Sequence, residues 1–462
     1  MALPVPDDTF AEILRRLTPK TLAVARCVCK PWRELVDGRE LLLRLLLPRS
    51  VDGVLINYVN HRRPHLLSRP RSSSFSSTSL PASCVGRIVD GNLTAVPAGD
   101  RAWWTVMDHC DGLILCDVYW GSRLFVCNPA TRRWATLPSP RPEPEPGAYA
   151  GKYLAFDPAV SPHYEVFLIP ALPEKSLPSP TDHVDVDDDD EAYLLMEWPP
   201  SPYKVDVFSS ATGRWVERDF VREEGEAVMT VMGVCFCTAT SRVQRVLARS
   251  TVCAFWRFST SSDKYQVIKT PIIIPNNKFD KTYLGKSKMG VSFGFIDDYQ
   301  LSVWILKESA GQIEWVLNYQ HDLWVAANQI DSIVFHGHKI NGPWVLEETI
   351  PKYIIIENKS YKDPEWDSDN DDFLDTEVDD EEHDFAHFRI LGFHPYKKVI
   401  FLEETFRTFA YHLNSSKIQY LGYSCPKYCY KIYRKGIHES FVYTPGMIGE
   451  LNGHYAWQSS PQ

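Results

Sequence analysis

The sequence predicts a multidomain protein in which a small all-α unit of three helices precedes a large all-β region. Apolar residues recur at helical spacing only in the first 48 residues, and short strand-like segments dominate from Ser50 onward. Aromatic residues make up 13% of the chain, which favours β-structure. The 462 residues also exceed what one hydrophobic core supports, since such a core stops growing near roughly 250–300 residues.

The N-terminal 48 residues are the predicted all-α unit. We expect Asp7 or Asp8 to cap the first helix, because a carboxylate there accepts unpaired backbone N–H groups. The apolar residues that follow share one helical face: Phe10, Ile13, Leu14 and Leu17. Pro19 should end this helix and begin a second one that continues to Leu35, and residues 40–47 form a short third helix. So small a unit is expected to finish burying its apolar surface against a partner.

This segment strongly resembles an F-box. Residues 5–22 read VPDDTFAEILRRLTPKTL and residues 26–35 read RCVCKPWREL, which match the family pattern at more than a dozen positions. The resemblance implies that the unit binds a Skp-type adaptor and, through it, a cullin-RING ligase. The residues carried over as adaptor-binding are Pro6, Ile13, Leu14, Leu17, Leu22, Val28, Cys29 and Trp32. Some of these residues will instead form the internal core, and the sequence does not sort them.

A repeated pattern organises the region that follows. In each copy a strand leads into a small polar turn and then into a second strand that begins near an aromatic residue. The turns begin at residues 128, 209, 259, 307 and 414. Once the Pro- and Asp-rich segment at 171–202 is set aside, the first three intervals are all near 50 residues. A period of about 50 built from short strands predicts an all-β kelch-like β-propeller, for which we expect about six blades.

The region from Asp108 to Leu451 also resembles the F-box-associated domain of plant F-box proteins. The resemblance is carried by HCDGLIL at 109–115, CNPATRRW at 127–134 and YLAFDP at 153–158, with support from FSSATGRW at 208–215. It implies a propeller that holds the target of ubiquitylation. The predicted domains are the F-box at 1–48, a connector with the first β segments at 49–107, the propeller at 108–455 and a tail at 456–462. The connector includes a Ser-rich loop at 68–83.

The net charge of −10 conceals two acidic blocks. Residues 182–191 hold seven acidic residues and residues 363–384 hold thirteen, with no Lys or Arg in either block. Such blocks repel themselves and are expected to be solvated loops inserted in the propeller. The rest of the chain has 39 acidic and 49 basic residues, and the basic ones are scattered. We therefore expect no nucleic-acid partner.

The sequence contains neither a secretory signal nor an apolar stretch near the roughly 20 residues that a membrane span needs. We therefore expect no membrane partner and a location in the cytoplasm and/or nucleus, where the eleven cysteines would be free thiols.

Several motifs resemble parts of catalytic or metal-binding sites, but each is incomplete. Residues 290–294 match G-x-S-x-G, but a strand rather than a helix is expected to follow, which disfavours a nucleophile elbow. Residues 367–378 begin like a calcium loop but lack its glycine and final glutamate. The Cys pairs at 27/29, 235/237 and 425/429 and the His pair at 336/338 lack the partners of a zinc site. We expect no catalytic residue, no metal and no cofactor.

The expected function is a non-catalytic substrate receptor of an SCF-type ubiquitin ligase, with an unknown target protein. Leu14→Asp together with Leu17→Asp is expected to abolish adaptor co-purification. The alternative is a propeller scaffold or small-ligand binder that acts outside the ligase, and an enzyme built on a propeller is the weakest interpretation.

Overall fold

The computed structural model describes the parts of the chain that carry the strands and the N-terminal helices. These are residues 6–17, 22, 25–26, 28–39, 41, 51–59, 61–69, 103–118, 123–140, 149–158, 160–171, 199–223, 235–236, 253–274, 281–287, 289–309, 312–328, 342–346, 387–426, 436–446 and 451. The acidic blocks at 182–191 and 363–384, nearly all of the Ser-rich loop and the tail at 456–462 lie outside the described residues.

The N-terminal unit contains helix α1, Asp7–Arg15, and helix α2, Lys30–Gly38; Leu22, Ala25 and Arg26 are also helical. The predicted cap is wrong, because Pro6 occupies the N-cap and no side-chain hydrogen bond caps the helix. Asp7 and Asp8 lie instead in the first turn, where their charge favours the positive end of the helix dipole.

The second predicted helix is also interrupted. Val28 is in a turn and Cys29 is not helical, so α2 begins only at Lys30. Pro31 explains the break, because proline fits the first turn of a helix but not its interior.

The rest of the described chain is almost entirely β-structure. The first strands are β1 (Gly53–Tyr58), β2 (His65–Ser68), β3 (Trp104–Cys110), β4 (Leu113–Val118), β5 (Arg123–Asn128), β6 (Arg133–Thr136), β7 (Tyr149–Ala155) and β8 (Glu165–Pro170). The next are β9 (Tyr203–Ser209), β10 (Arg214–Arg222), β11 (Cys235–Phe236), β12 (Cys253–Ser259), β13 (Lys264–Lys269), β14 (Thr282–Ser287), β15 (Gly290–Asp297) and β16 (Gln300–Ser309). The last are β17 (Gln312–Asp322), β18 (Val345–Leu346), β19 (Arg389–Phe393), β20 (Val399–Glu404), β21 (Arg407–His412), β22 (Ile418–Tyr423) and β23 (Ile437–Tyr443).

The described strands form five sheets in a propeller arrangement, which corrects the prediction of about six blades. The four-stranded sheets are β3-β4-β5-β6, β14-β15-β16-β17, β19-β20-β21-β22 and β18-β2-β1-β23; the seven-stranded sheet is β11-β12-β13-β10-β9-β8-β7. Two of the predicted repeat units share that large sheet, because β10 runs parallel to β13 with Val221 opposite Lys264 and Arg222 opposite Tyr265. This pairing of only two residue pairs joins the two parts of the seven-stranded sheet and leaves no periodic signal in the sequence, so the repeat pattern predicted two separate blades.

All five predicted hairpins are confirmed. They are β5–β6, β9–β10, β12–β13, β16–β17 and β21–β22, each an antiparallel pair. In three of them the residue before the second strand has a positive φ, namely Arg132, Gly213 and Asp263, and in the β21–β22 hairpin Ser416 has a positive φ two residues before β22. A left-handed residue at this place closes the turn with the twist that antiparallel strands require. The small and polar turn residues therefore predicted the reversals for a physical reason.

The C-terminal strand closes the ring. β23 pairs with β1 across Gly53–Tyr58, so the two ends of the β region lie in one sheet. Side chains then join this sheet to its neighbours: Asn57 bonds both the N–H and the C=O of Val106 on β3, and the Ser440 hydroxyl donates to the Leu391 carbonyl on β19. These hydrogen bonds provide partners for backbone groups of the edge strands β3 and β19, which have no neighbouring strand on that side.

The apolar core lies between adjacent sheets. Between the β14–β17 and β19–β22 sheets, for example, Ile296 and Val303 from one sheet pack against Ile390 and Phe409 from the other. Strands with a neighbouring strand on each side and a sheet on each face, such as β1, β4 and β20, are therefore buried along their whole length.

Candidate functional site

The N-terminal unit has a small core of its own. Its buried residues are Ala11, Leu14, Leu22, Ala25, Leu35, Val36 and Leu41. Phe10, Leu17 and Trp32 pack against this cluster while remaining partly exposed, and the rings of Phe10 and Trp32 lie 4.8 Å apart. The Arg39 guanidinium also pairs with Asp8 at 2.5 Å, which joins the end of α2 to the start of α1. The unit is therefore held together by few residues.

The eight residues predicted to bind an adaptor fall into three groups by exposure. Leu14 and Leu22 are buried, with relative exposures of 1% and 0%. Leu17 and Trp32 are partly buried, and the remaining four are exposed: Pro6, Ile13, Val28 and Cys29. Leu14 and Leu22 thus stabilise the unit, and the exposed residues are available to a partner.

Ile13 differs from the helical face that the sequence predicted. It precedes Leu14 by one residue and so points about 100° away around α1, which leaves it 49% exposed. Val28 lies between the helical segments and is 61% exposed. Two exposed β-branched residues in so small a unit are apolar surface that its own core does not cover.

The propeller brings polar side chains together around its axis. Strands β3, β7, β14, β19 and β23 are each at one edge of a sheet, and β23 contacts both β3 and β19. Lys286 on β14 lies 3.6 Å from the Asp111 carboxylate, and the Tyr283 hydroxyl donates to the Ser440 carbonyl at 3.3 Å. Sequence reasoning missed this group because its members come from strands far apart in the chain. The only local signal was the Asp-Gly turn at 111–112.

Burial sets the protonation of the axial groups on β3. It raises the pKa of Asp108 to about 7, although the carboxylate accepts backbone N–H groups from His109 and Leu154 at 2.8 Å each. Asp108 retains some solvent-exposed surface, but protein atoms surround its carboxyl group densely. The effect of burial on its pKa therefore outweighs the effect of the two hydrogen bonds. Burial also raises the pKa of Cys110 to about 12 and lowers that of His109 to about 4. The raised pKa of Cys110 disfavours the thiolate, which is the nucleophilic form of cysteine.

The G-x-S-x-G motif does not form a nucleophile elbow. Ser292 lies within strand β15, paired to β14 and β16, and the chain turns at 298–299 into another strand. The Ser292 hydroxyl is 2.8 Å from the Ser287 hydroxyl. A serine nucleophile needs a base at that place, and a second hydroxyl is not one.

The described residues contain no group of three or more His, Cys, Asp or Glu that could hold a metal ion. The sequence-identified calcium-like loop at 367–378, the His pair at 336/338 and Cys429 lie outside the described residues. Cys116 and Cys127 are buried thiols on neighbouring strands, 3.9 Å apart at sulfur. Within the described part of the chain, no helix has both the length and the apolar character to cross a membrane.

Comparison with known proteins bears on the N-terminal unit first. Residues 4–44 match the family model of the F-box domain. An F-box protein of Arabidopsis thaliana is 24% identical over 218 residues, which cover 45% of this chain and 44% of the relative. A putative F-box protein of the same plant is 24% identical over 322 residues, covering 67% of this chain and 76% of that protein. An F-box/kelch-repeat protein, also from Arabidopsis thaliana, is 26% identical over 162 residues, 34% of each chain.

The chain therefore combines an N-terminal segment that matches the F-box domain with strands in a propeller arrangement. Together with the relatives, they fit a plant F-box protein with a propeller domain. The match spans less than half the length of the first of these relatives.

Proposed function

We propose that the protein is the substrate-recognition subunit of an SCF-type E3 ubiquitin ligase. The F-box would bind a Skp-type adaptor and through it the cullin-RING ligase, and the propeller would bind a target protein. The F-box domain at 4–44 carries this proposal, and the F-box/kelch-repeat relative supports a substrate-adaptor role in general.

Adaptor binding would use the exposed apolar side chains of the F-box. Ile13 and Val28 are 49% and 61% exposed, so they can transfer apolar surface from water to a partner without unfolding the unit. Leu17 and Trp32 would contribute the part of each side chain that the internal cluster leaves uncovered. The protein itself would carry out no bond chemistry; it would hold a target near the catalytic machinery of the ligase.

The test compares exposed and buried residues of the same unit. Ile13→Asp together with Val28→Asp should abolish co-purification with a Skp-type adaptor, since an interface anchor is worth about 2 kcal/mol, or roughly 30-fold in Kd. The double variant should keep its helical circular dichroism, because neither side chain belongs to the core cluster. Val160→Asp is the matched control: this valine is 82% exposed on the propeller, and its substitution should leave adaptor binding unchanged.

Leu14→Asp with Leu17→Asp is less informative than the sequence suggested. Leu14 is 1% exposed within the core cluster, so a carboxylate there should unfold the helical unit and abolish binding by that route. Retention of adaptor by the folded Ile13→Asp/Val28→Asp variant would contradict the assignment of these two residues to the interface. Failure of the unsubstituted protein to co-purify with a Skp-type adaptor would instead favour the alternative, a propeller protein that acts outside the ligase.

A further inference from the structure

Strand β17 has the longest uncovered outer edge in the described part of the chain. It is eleven residues long and ends its sheet, so that only β16 pairs with it. At the outer ends of other sheets, β6 has four residues, and β11 and β18 have two each. The remaining outer strand, β22, has a neighbouring segment, because the Trp344 N–H donates to the Leu421 carbonyl at 2.7 Å.

The backbone of β17 presents hydrogen-bonding groups along this edge. In an antiparallel pair, alternate residues direct their N–H and C=O groups away from the partner strand. Residues 312–317 pair with β16 in unbroken register, up to the register shift between Val303 and Trp304. No backbone hydrogen bond joins these six residues to a described residue outside β16. Residues 312–317, which we call the β17 edge, are therefore a template for a further strand.

One face of the β17 edge is apolar. Ile313, Trp315 and Leu317 share this face, because alternate side chains of a strand point to the same side. Leu317 is 47% exposed, and the other two are partly buried. The Trp315 indole is fixed, since its Nε1–H donates to the Lys269 carbonyl at 2.8 Å and its ring lies 6.0 Å from that of Phe293. An added strand would therefore meet an ordered apolar surface on this face.

The opposite face of the β17 edge carries a carboxylate. Glu314 is exposed, and although Lys307 lies directly across from it on β16, no ion pair joins Glu314 to a described residue. Opposite charges on neighbouring strands stabilise a sheet, so a cation beside Glu314 on an added strand would be favourable. Strand β17 itself contains no Lys, Arg or Pro. A second copy of the chain that paired through the same edge could not supply this cation.

We propose that the β17 edge binds an extended segment of the target protein as an added β-strand, an inference that rests on the proposed function of the propeller. The segment would carry apolar side chains at alternate positions, beside Trp315 and Leu317. A Lys or Arg between them would lie beside Glu314. In this mode of recognition the main-chain hydrogen bonds provide affinity and the alternate side chains provide specificity.

The first test asks whether binding uses main-chain hydrogen bonds. The probe is a fluorescein-labelled eight-residue peptide with valine at three alternate positions and one lysine between two of the valines. Its binding to the full-length protein is followed by fluorescence polarisation. Two isomers of the peptide carry N-methyl groups on one or the other set of alternate amides. The isomer that lacks the N–H groups facing β17 should bind about tenfold more weakly than its counterpart, because it loses hydrogen bonds to the strand.

The second test reverses the charge at the edge. Glu314→Lys should weaken binding of the lysine peptide about fivefold at low salt and should strengthen binding of a peptide with glutamate in place of lysine. The matched control is Asp219→Lys, which reverses an exposed carboxylate on β10 and should change binding of either peptide by less than about twofold. Both substituted side chains are exposed, so circular dichroism should be unchanged in both variants.

The inference would be overturned by an absence of measurable binding, by equal binding of the two N-methyl isomers, or by equal effects of Glu314→Lys and Asp219→Lys. Sedimentation velocity provides a further check on the occupant. A dimer that dissociates on Leu317→Asp would assign the edge to a second copy of the chain and would also contradict a site for the target. Adaptor co-purification is measured on the same preparations, so failure of the edge and failure of the proposed ligase function are distinguished.

Discussion

Asn57 offers a direct test of how the propeller ring is held closed. It lies on β1 with 4% exposure, and its side-chain amide donates to the Val106 carbonyl at 2.7 Å and accepts the Val106 N–H at 3.1 Å. A third contact, at 3.3 Å, reaches the Glu439 carboxylate on β23. Val106 lies beside a register shift in the β3–β4 pairing, so its backbone groups depend on this amide from the neighbouring sheet.

Asn57→Ala should destabilise the propeller by about 2 to 6 kcal/mol, because two buried backbone groups each lose a partner at about 1–3 kcal/mol. Water that enters the space would move the loss of stability toward the lower figure.

The assays are urea unfolding followed by tryptophan fluorescence and hydrogen exchange of the peptide at 103–110. Exchange there should accelerate at least 30-fold, the factor that corresponds to about 2 kcal/mol. Asn318→Ala is the control, since this exposed asparagine on β17 should change stability by less than about 0.5 kcal/mol. Unchanged protection at 103–110 together with an unchanged unfolding midpoint would refute the closure argument.

Two further predictions concern pH and the contact between Gly446 and the turn at 111–112. Burial, aided by the charge of Arg63, lowers the pKa of His65 to about 3 in the folded protein. Between pH 6.5 and 3 the unfolded chain therefore binds more protons than the folded protein does. The free energy of unfolding consequently falls as the pH falls from 6.5 toward 3. His65→Phe should remove about 2 kcal/mol of the stability difference between pH 7.5 and pH 5, as measured by urea unfolding; an unaltered pH dependence would show that His65 is not buried neutral. Gly446→Ala would place a methyl group 2.5 Å from the Asp111 carbonyl oxygen. This substitution should lower the free energy of unfolding by about 1–3 kcal/mol, as measured by thermal unfolding. Gly38→Ala is the control, because a methyl group there would meet open space and should not change stability. Equal melting temperatures for the two glycine variants would contradict this packing.

The hairpins were predictable because their signals are local. A polar turn between two apolar strands specifies a reversal within about a dozen residues, and all five predicted reversals are present. Helix α1 was predictable for the same reason, and the position of Pro31 places the start of α2 later than periodicity alone suggested. The predicted third helix at 40–47 lies, except for Leu41, outside the described residues. The F-box surface was only partly predictable: Ile13 and Leu14 are adjacent apolar residues on one helix, and only packing shows that one is exposed and the other buried.

The sequence by itself therefore determined the two-part architecture, the hairpin repeat and the F-box identity of the N-terminal unit, because each depends on contacts between residues that are close in the chain. The tertiary structure alone decided that two repeat units share one sheet, that β23 pairs with β1 and that the Lys398 ammonium lies over the Tyr319 ring. These features join residues dozens to hundreds of positions apart. Such contacts form only when the ring closes, since closure replaces the solvent at each sheet edge with a neighbouring sheet.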